Sequence, residues 1–134
     1  MTIMIAIALG ASLLAEPKAV VSSMFEAFNR HDAADMAKLY AEDARLTSPD
    51  FCSPRGQGDV VRTYQALFTT FPDIRDVIDR MIAEEDHVAV RFHAEMMQAG
   101  HVTDMPIITF LRVRHGRIVE DDTLFDNRGR PCAP

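Results

Sequence analysis

Between residues 18 and 30 the apolar positions Val20, Val21, Met24, Phe25 and Phe28 recur every three or four residues. That spacing puts them on one stripe and predicts an amphipathic helix. Asp32 is placed to cap a second helix, Ala33 to Ala41, with Asp35 at the third position, where a negative charge suits the helix dipole. Ala44 to Thr47 reads as a short strand closed by Ser48-Pro49-Asp50, and a loop containing Pro and Gly runs from Phe51 to Gly58. The clearest helix follows. Val60, Val61, Tyr64, Leu67, Phe68 and Phe71 share one face, and Pro72 stops it.

Beyond Pro72 the period changes to two. Asp76–Ala83 predicts a strand turned by Glu84-Glu85-Asp86. Val88, Val90, Phe92, Ala94 and Met96 then alternate with Ala89, Arg91, His93, Glu95 and Met97. This is a half-buried strand whose outward face carries Arg91, His93 and Glu95. Ala99-Gly100 marks a turn, Pro106 opens a strand through Arg114, and His115-Gly116 makes a tight hairpin into a last strand at 117–126. Helices first and an antiparallel meander afterwards give an α+β class, in a single domain over residues 16–134.

Composition narrows the functions available. With 134 residues, 48% hydrophobic and 25% charged, the chain has the make-up of one soluble globular domain. Its net charge of −6 and lack of any basic stripe argue against nucleic-acid binding. Eight Met without a Trp suit adaptable packing around an irregular cavity, or plain core filling. The five histidines (31, 87, 93, 101 and 115) form no pair at metal-ligand spacing, so neither metal nor organic cofactor is expected. Cys52 and Cys132 lie in Pro-rich loops and are expected as free thiols, with one disulfide open to them in an oxidising compartment.

Ile3 to Ala15 is almost continuously apolar yet too short to span a bilayer. It reads as the core of a leader cut before Glu16-Pro17, or as an extra helix or strand packed on the domain or on a partner subunit. Met1-Thr2 carries no positive charge and Leu13 fits a cleavage site poorly, so a cytoplasmic location is the first expectation and an exported one the alternative.

Candidate chemistry concentrates in the last strand, where Glu120, Asp121 and Asp122 are consecutive. Asp is depleted in strands, and neighbouring side chains point to opposite faces. Strict alternation groups Ile118, Glu120, Asp122, Leu124 and Asp126 on one face and Val119, Asp121, Thr123 and Phe125 on the other. Burying several like charges together is expensive, so the three-acid face belongs outside and Asp121 is the acid that turns in. A carboxylate in an apolar interior holds its proton more tightly, which suits a general acid or base.

The order of elements and three stretches within it resemble the nuclear transport factor 2-like superfamily, and in particular its SnoaL-like polyketide cyclase and ketosteroid isomerase branches. The stretches are Ala19-Val20-Val21 through Phe28-Asn29-Arg30-His31-Asp32 to Ala44, Arg55-Gly56-Gln57-Gly58 with the helix ending Phe71-Pro72-Asp73, and Pro106 to Asp126. The resemblance implies a curved antiparallel sheet with three N-terminal helices enclosing a cone-shaped pocket. It also implies a homodimer through the outer sheet face and hydrophobic substrates handled without cofactor. The isomerases' three catalytic groups are absent: their matching positions hold Met24, Ser48 and Ile108 here. A steroid-isomerase mechanism is therefore not expected.

The resemblance, like the alternation, turns Asp121, Thr123 and Phe125 inward. By the same register Ile108, Phe110 and Arg112 are expected on the inner face of the preceding strand, with Arg112 beside Asp121, and Tyr64 pointing in from the third helix. The candidate set is thus Asp121 as acid/base, with Tyr64, Ser48, Arg112, Thr123 and His101 contacting substrate and Tyr40 as a further donor. His93 and Asp126 fall on the outer face. The expected function is proton transfer (cyclisation, isomerisation or dehydration) on a small hydrophobic, polyketide-like molecule. The alternative is a non-catalytic binding or dimerisation module on the same scaffold.

Overall fold

The computed structural model describes residues 16–134, and the apolar segment at 1–15 lies outside the described residues. Helices α1 (Pro17–Asn29), α2 (Ala33–Lys38) and α3 (Val60–Thr70) combine with strands β1 (Tyr40–Thr47), β2 (Arg75–Glu84), β3 (His87–Gln98), β4 (His101–Arg114) and β5 (Arg117–Leu124). Pro17 starts α1 at a position where its missing N–H has no helical partner to lose. Asp32 caps α2, its side chain accepting from the Asp35 amide at 2.9 Å. That helix ends earlier than its pattern suggests because Leu39 O accepts from Ile118 N at 2.8 Å and Tyr40 begins β1 beside Ile118. Pairing with a distant strand outweighs local helix propensity there.

The sheet corrects the expected architecture. It is a five-stranded sheet in the order β1-β5-β4-β3-β2, and β1 runs parallel to β5, so it is mixed rather than antiparallel. Among the described residues it is open, with β1 and β2 as its two edges, and not a curved wall closed into a cone. The α+β class and the three helices stand. Two hairpins use adjacent left-handed residues, Ala99-Gly100 and His115-Gly116, the geometry whose twist matches that of paired strands.

Two register features decide which side chains meet the core. On β4 the buried positions are Ile107, Thr109, Leu111 and Val113, whereas Ile108 and Phe110 are 45% and 55% exposed. The expected inner set Ile108, Phe110 and Arg112 is therefore off by one residue, and all three face outward. Pro106 did not open the strand either: β4 starts at His101, and Pro106 is tolerated because β5 pairs with β4 only from Ile108 onward. On β5, Arg112 pairs with Glu120 and Val113 with Ile118, leaving Val119 as an extra bulged residue. The bulge reverses the alternation, so Ile118 and Asp121 both face inward.

The core lies between the inner sheet face and the helices. Val20, Val21, Met24, Phe25 and Phe28 of α1 join Val88, Val90, Phe92 and Ala94 of β3, with the Phe25 and Phe92 rings edge-on at 4.9 Å. Truncating Phe25 to Ala would cost about 3–5 kcal/mol. Cys52 and Cys132 form a disulfide rather than the expected free thiols. It ties the C-terminal tail to the loop after β1, where Cys52 N also donates to Ala133 O at 2.9 Å and Ala133 N to Asp50 O at 2.7 Å.

Candidate functional site

Asp121 lies on the inner face of β5, 5% exposed, between Leu46 of β1 and Leu111 of β4. Three hydroxyls meet its carboxylate. Tyr40 Oη donates to Oδ2 at 2.6 Å. Thr109 and Thr123 donate to Oδ1 at 3.0 and 2.9 Å, and their own oxygens are 2.9 Å apart. The register builds this cluster, because Thr109 and Thr123 are direct cross-strand partners on the same face. Burial raises the Asp121 pKa, opposed by the hydrogen bonds of Tyr40, Thr123 and Thr109, and the balance stays above the ordinary carboxylate value. Tyr40, fully buried, is raised well above its usual value by burial first and the Asp121 charge second, so it remains a phenol donor.

Tyr64 extends the group from α3. Its phenol is raised by burial, then by the charges of Asp121 and Asp76, while the Tyr40 hydroxyl and the Arg55 guanidinium act the other way. Its ring stands edge-on to Phe28 at 5.9 Å and is tilted against Phe68 at 6.4 Å. Tyr64, Phe68, Phe71, Met105 and Phe125 are only partly covered, giving the inner layer an apolar fringe beside the polar cluster. Such a combination of apolar wall and few oriented polar groups suits a small hydrophobic ligand.

The structure thus brings together Asp121, Thr123, Tyr64 and Tyr40. Tyr40 sits in the core rather than at an opening. Arg112 is on the opposite face, with Nε 3.0 Å from Asp86 and Nη1 3.8 Å from Glu120, so the expected Arg112–Asp121 ion pair does not form. Ser48 is taken up by its own turn, accepting from Asp50 N at 3.3 Å. His101 is exposed at the start of β4, across from Gln98. Thr109 and Asp76 were missed. Thr109 was hidden by the one-residue register error, whereas Asp76 could have been found from alternation on β2, where it is buried opposite Ala94.

The outer sheet face is different in character. A depression of about 980 Å³ there is lined by Asp43, Arg45, Thr47, Arg114, Arg117 and Glu120 among others, and reaches Asp121 and Asp122. Farther along, His93 Nδ1 is 3.1 Å from Asp79 and Nε2 is 3.2 Å from Glu95. Its imidazole pKa is raised, chiefly by the Asp79 hydrogen bond. Among the described residues, the donor atoms of His93, Glu95 and Asp104 lie within 4.8 Å of one another, a set that could accept a divalent cation. These residues are on the far side of the sheet from the Tyr40–Asp121 pair.

Comparison with known proteins places this geometry. The SnoaL-like domain model matches residues 21–121. The chain belongs to the SnoaL-like domain family. Among solved structures it is similar to wild-type IdmH, a proposed polyketide cyclase from Streptomyces antibioticus. Identity is 27% over 85% of this chain and 94% of that one, with a TM-score of 0.74. A loop-truncation variant of IdmH gives 29% identity over 84% and 94%, with a TM-score of 0.78. AclR, a proposed hydroxylase from Streptomyces galilaeus, gives 26% identity over 86% and 92%, with a TM-score of 0.72. No curated protein matches the chain. Members with such different names on one fold mean that chemistry must be argued from this SnoaL-like domain's own residues. Among those described, no helix is long and apolar enough to cross a membrane.

Proposed function

We propose that this SnoaL-like domain is an enzyme that moves protons on a small hydrophobic, polyketide-like molecule, in a cyclisation, isomerisation or dehydration. The observation that carries the reading is the Asp121 carboxylate, buried on the inner face and held by Tyr40, Thr109 and Thr123. A raised carboxylate beside two phenols can supply or accept a proton at a substrate oxygen, while Tyr64 polarises that oxygen by hydrogen bonding. The proposed polyketide-cyclase role of IdmH supports the substrate class.

A bicyclic ketone tests this directly. In D2O, the protein should accelerate deuterium uptake at C1 of 2-tetralone, read by mass spectrometry. Asp121→Asn should lower that rate by about 100-fold or more while circular dichroism shows an intact fold. An unchanged rate in the variant would refute the assignment.

The dimerisation reading has its own support, and the two are compatible. Ile108, Phe110 and Leu124 are 45%, 55% and 58% exposed on the outer face, beside the exposed Ile82. A second copy covering that face would bury them, and sedimentation should then show a dimer that Phe110→Glu converts to monomer. The Cys52–Cys132 disulfide supports an oxidising compartment, and with it the exported alternative for the chain.

A further inference from the structure

The outer face of the sheet gathers metal-ligating side chains on the opposite side from Asp121. His93 and Glu95 alternate with inward residues of β3 and share that face, and Glu95 pairs directly across to Asp104 of β4. The donor atoms of His93, Glu95 and Asp104 lie within 4.8 Å of one another. Asp79 joins from β2, where it is the extra residue between Ile78, opposite Phe92, and Arg80, opposite Arg91. Four side chains from three strands converge with no local motif to announce them.

The histidine separates this group from an ordinary acidic surface. Both Asp79 oxygens are 3.1 Å from His93 Nδ1, which orients the ring and makes Nδ1 the protonated nitrogen. In the neutral ring Nε2 then presents its lone pair to Glu95 Oε1 at 3.2 Å, so two acceptors face each other. A positive centre has to lie between them. A carboxylate on the far nitrogen is also the arrangement that fixes a metal-ligating imidazole and strengthens its ligand nitrogen.

Charge points the same way. Glu95 and Asp104 are direct cross-strand partners, a placement in which like charges destabilise a sheet. Among the described residues the ion pairs of Asp79 and Glu95 are to His93 alone, and Asp104 has none. A proton on Nε2 balances only one of the three carboxylates. A divalent ion held by Nε2, Glu95 and Asp104 meets two negative charges and matches them. Ligands on bonds of about 2.1 Å stand roughly 3–3.5 Å apart, and Nε2 and Glu95 already have that spacing.

We propose that the outer face binds one divalent ion of the zinc class through His93 Nε2, Glu95 and Asp104, with Asp79 as the positioning residue behind His93. Imidazole combined with carboxylates favours such ions over Mg2+, which prefers oxygen ligands alone. Asp104 also borders a hollow of about 330 Å³ lined by Gln98, Pro106, Asp126 and Arg128, so the site is open to solvent on that side. The ion ties β3 to β4 near the Ala99-Gly100 turn. It takes no part in the proton transfer proposed above, which lies on the other face of the sheet.

Isothermal titration calorimetry of the chelator-stripped full chain with Zn2+, and separately with Mg2+, tests the assignment. Zn2+ should bind at one equivalent, and Mg2+ more weakly by about 100-fold or more. His93→Gln and Asp104→Asn should each weaken Zn2+ by about 100-fold, and Asp79→Asn by about 10- to 100-fold. His87→Gln, whose histidine pairs with Asp86 instead, should leave the affinity unchanged. Zn2+ should also move the 15N resonance of His93 Nε2 far more than that of Nδ1. Circular dichroism checks the fold of each variant, and Glu95→Gln gives the same reading should one of them fold poorly. Zn2+ affinity unchanged in folded His93→Gln, Zn2+ and Mg2+ binding alike, or no saturable Zn2+ uptake by wild type would each overturn the site.

Discussion

Replacing Asp76 by Asn should change stability in a pH-dependent way whose size follows from the site. In the folded protein the carboxyl is held near 7, against an ordinary value of 3.8, a difference of about three units. Each unit corresponds to about 1.4 kcal/mol, so the pH-dependent effect is about 4 kcal/mol at most. Because the folded pKa is raised, the favourable contribution of protonated Asp76 is complete below 3.8 and lost as pH rises toward 7. Asn is nearly isosteric with the protonated acid and does not titrate. Wild type and variant should thus match near pH 4, and the variant should gain up to about 4 kcal/mol at pH 8. Urea denaturation followed by circular dichroism at several pH values measures the difference. A variant that is less stable than wild type at pH 8, or a difference independent of pH, would refute the claim that burial on the inner face raises the Asp76 carboxyl.

Three further outcomes are expected. Tyr40→Phe removes the 2.6 Å donor to Asp121 and should destabilise the protein by about 1.5–3 kcal/mol at neutral pH, measured by urea denaturation. Reducing the Cys52–Cys132 disulfide opens a loop with a sequence separation of 80 and should cost about 4 kcal/mol on chain-entropy grounds, seen as a lower melting temperature with reductant. Arg112→Ala breaks contacts to Asp86 and Glu120 that are open to solvent, so it should change stability by less than about 1 kcal/mol and leave 2-tetralone exchange unaltered.

The helices were legible because their apolar stripes are long and their ends carry chemical punctuation, with Asp32 capping α2 and Pro72 closing α3. Asp121 was legible for a similar reason, since one acid on an otherwise apolar strand face stands out. The rest depended on interactions that local pattern does not contain. Nothing near Tyr40 announces a parallel pairing with Ile118, which shortened α2, lengthened β1 and made the sheet mixed. The Val119 bulge exchanged faces within one strand, and β4 has apolar residues at both parities, Ile107 and Leu111 within and Ile108 and Phe110 without. Alternation cannot choose between them. The resemblance chose wrongly by one residue, hiding Thr109 and turning Arg112 toward an acid it never meets. Asp76 was readable from its parity on β2, but its burial opposite Ala94 required the pairing of β2 with β3.

The most direct measurement is a 13C NMR titration of the aspartate carboxyl groups, with Asp121 assigned by difference from Asp121→Asn. A buried acid restrained by three hydroxyls should titrate above 3.8, and Tyr40→Phe, which removes the strongest of those restraints, should move it higher. A midpoint at or below 3.8 that ignores the loss of Tyr40 would contradict the picture of Asp121 as a proton donor and acceptor poised on the inner face.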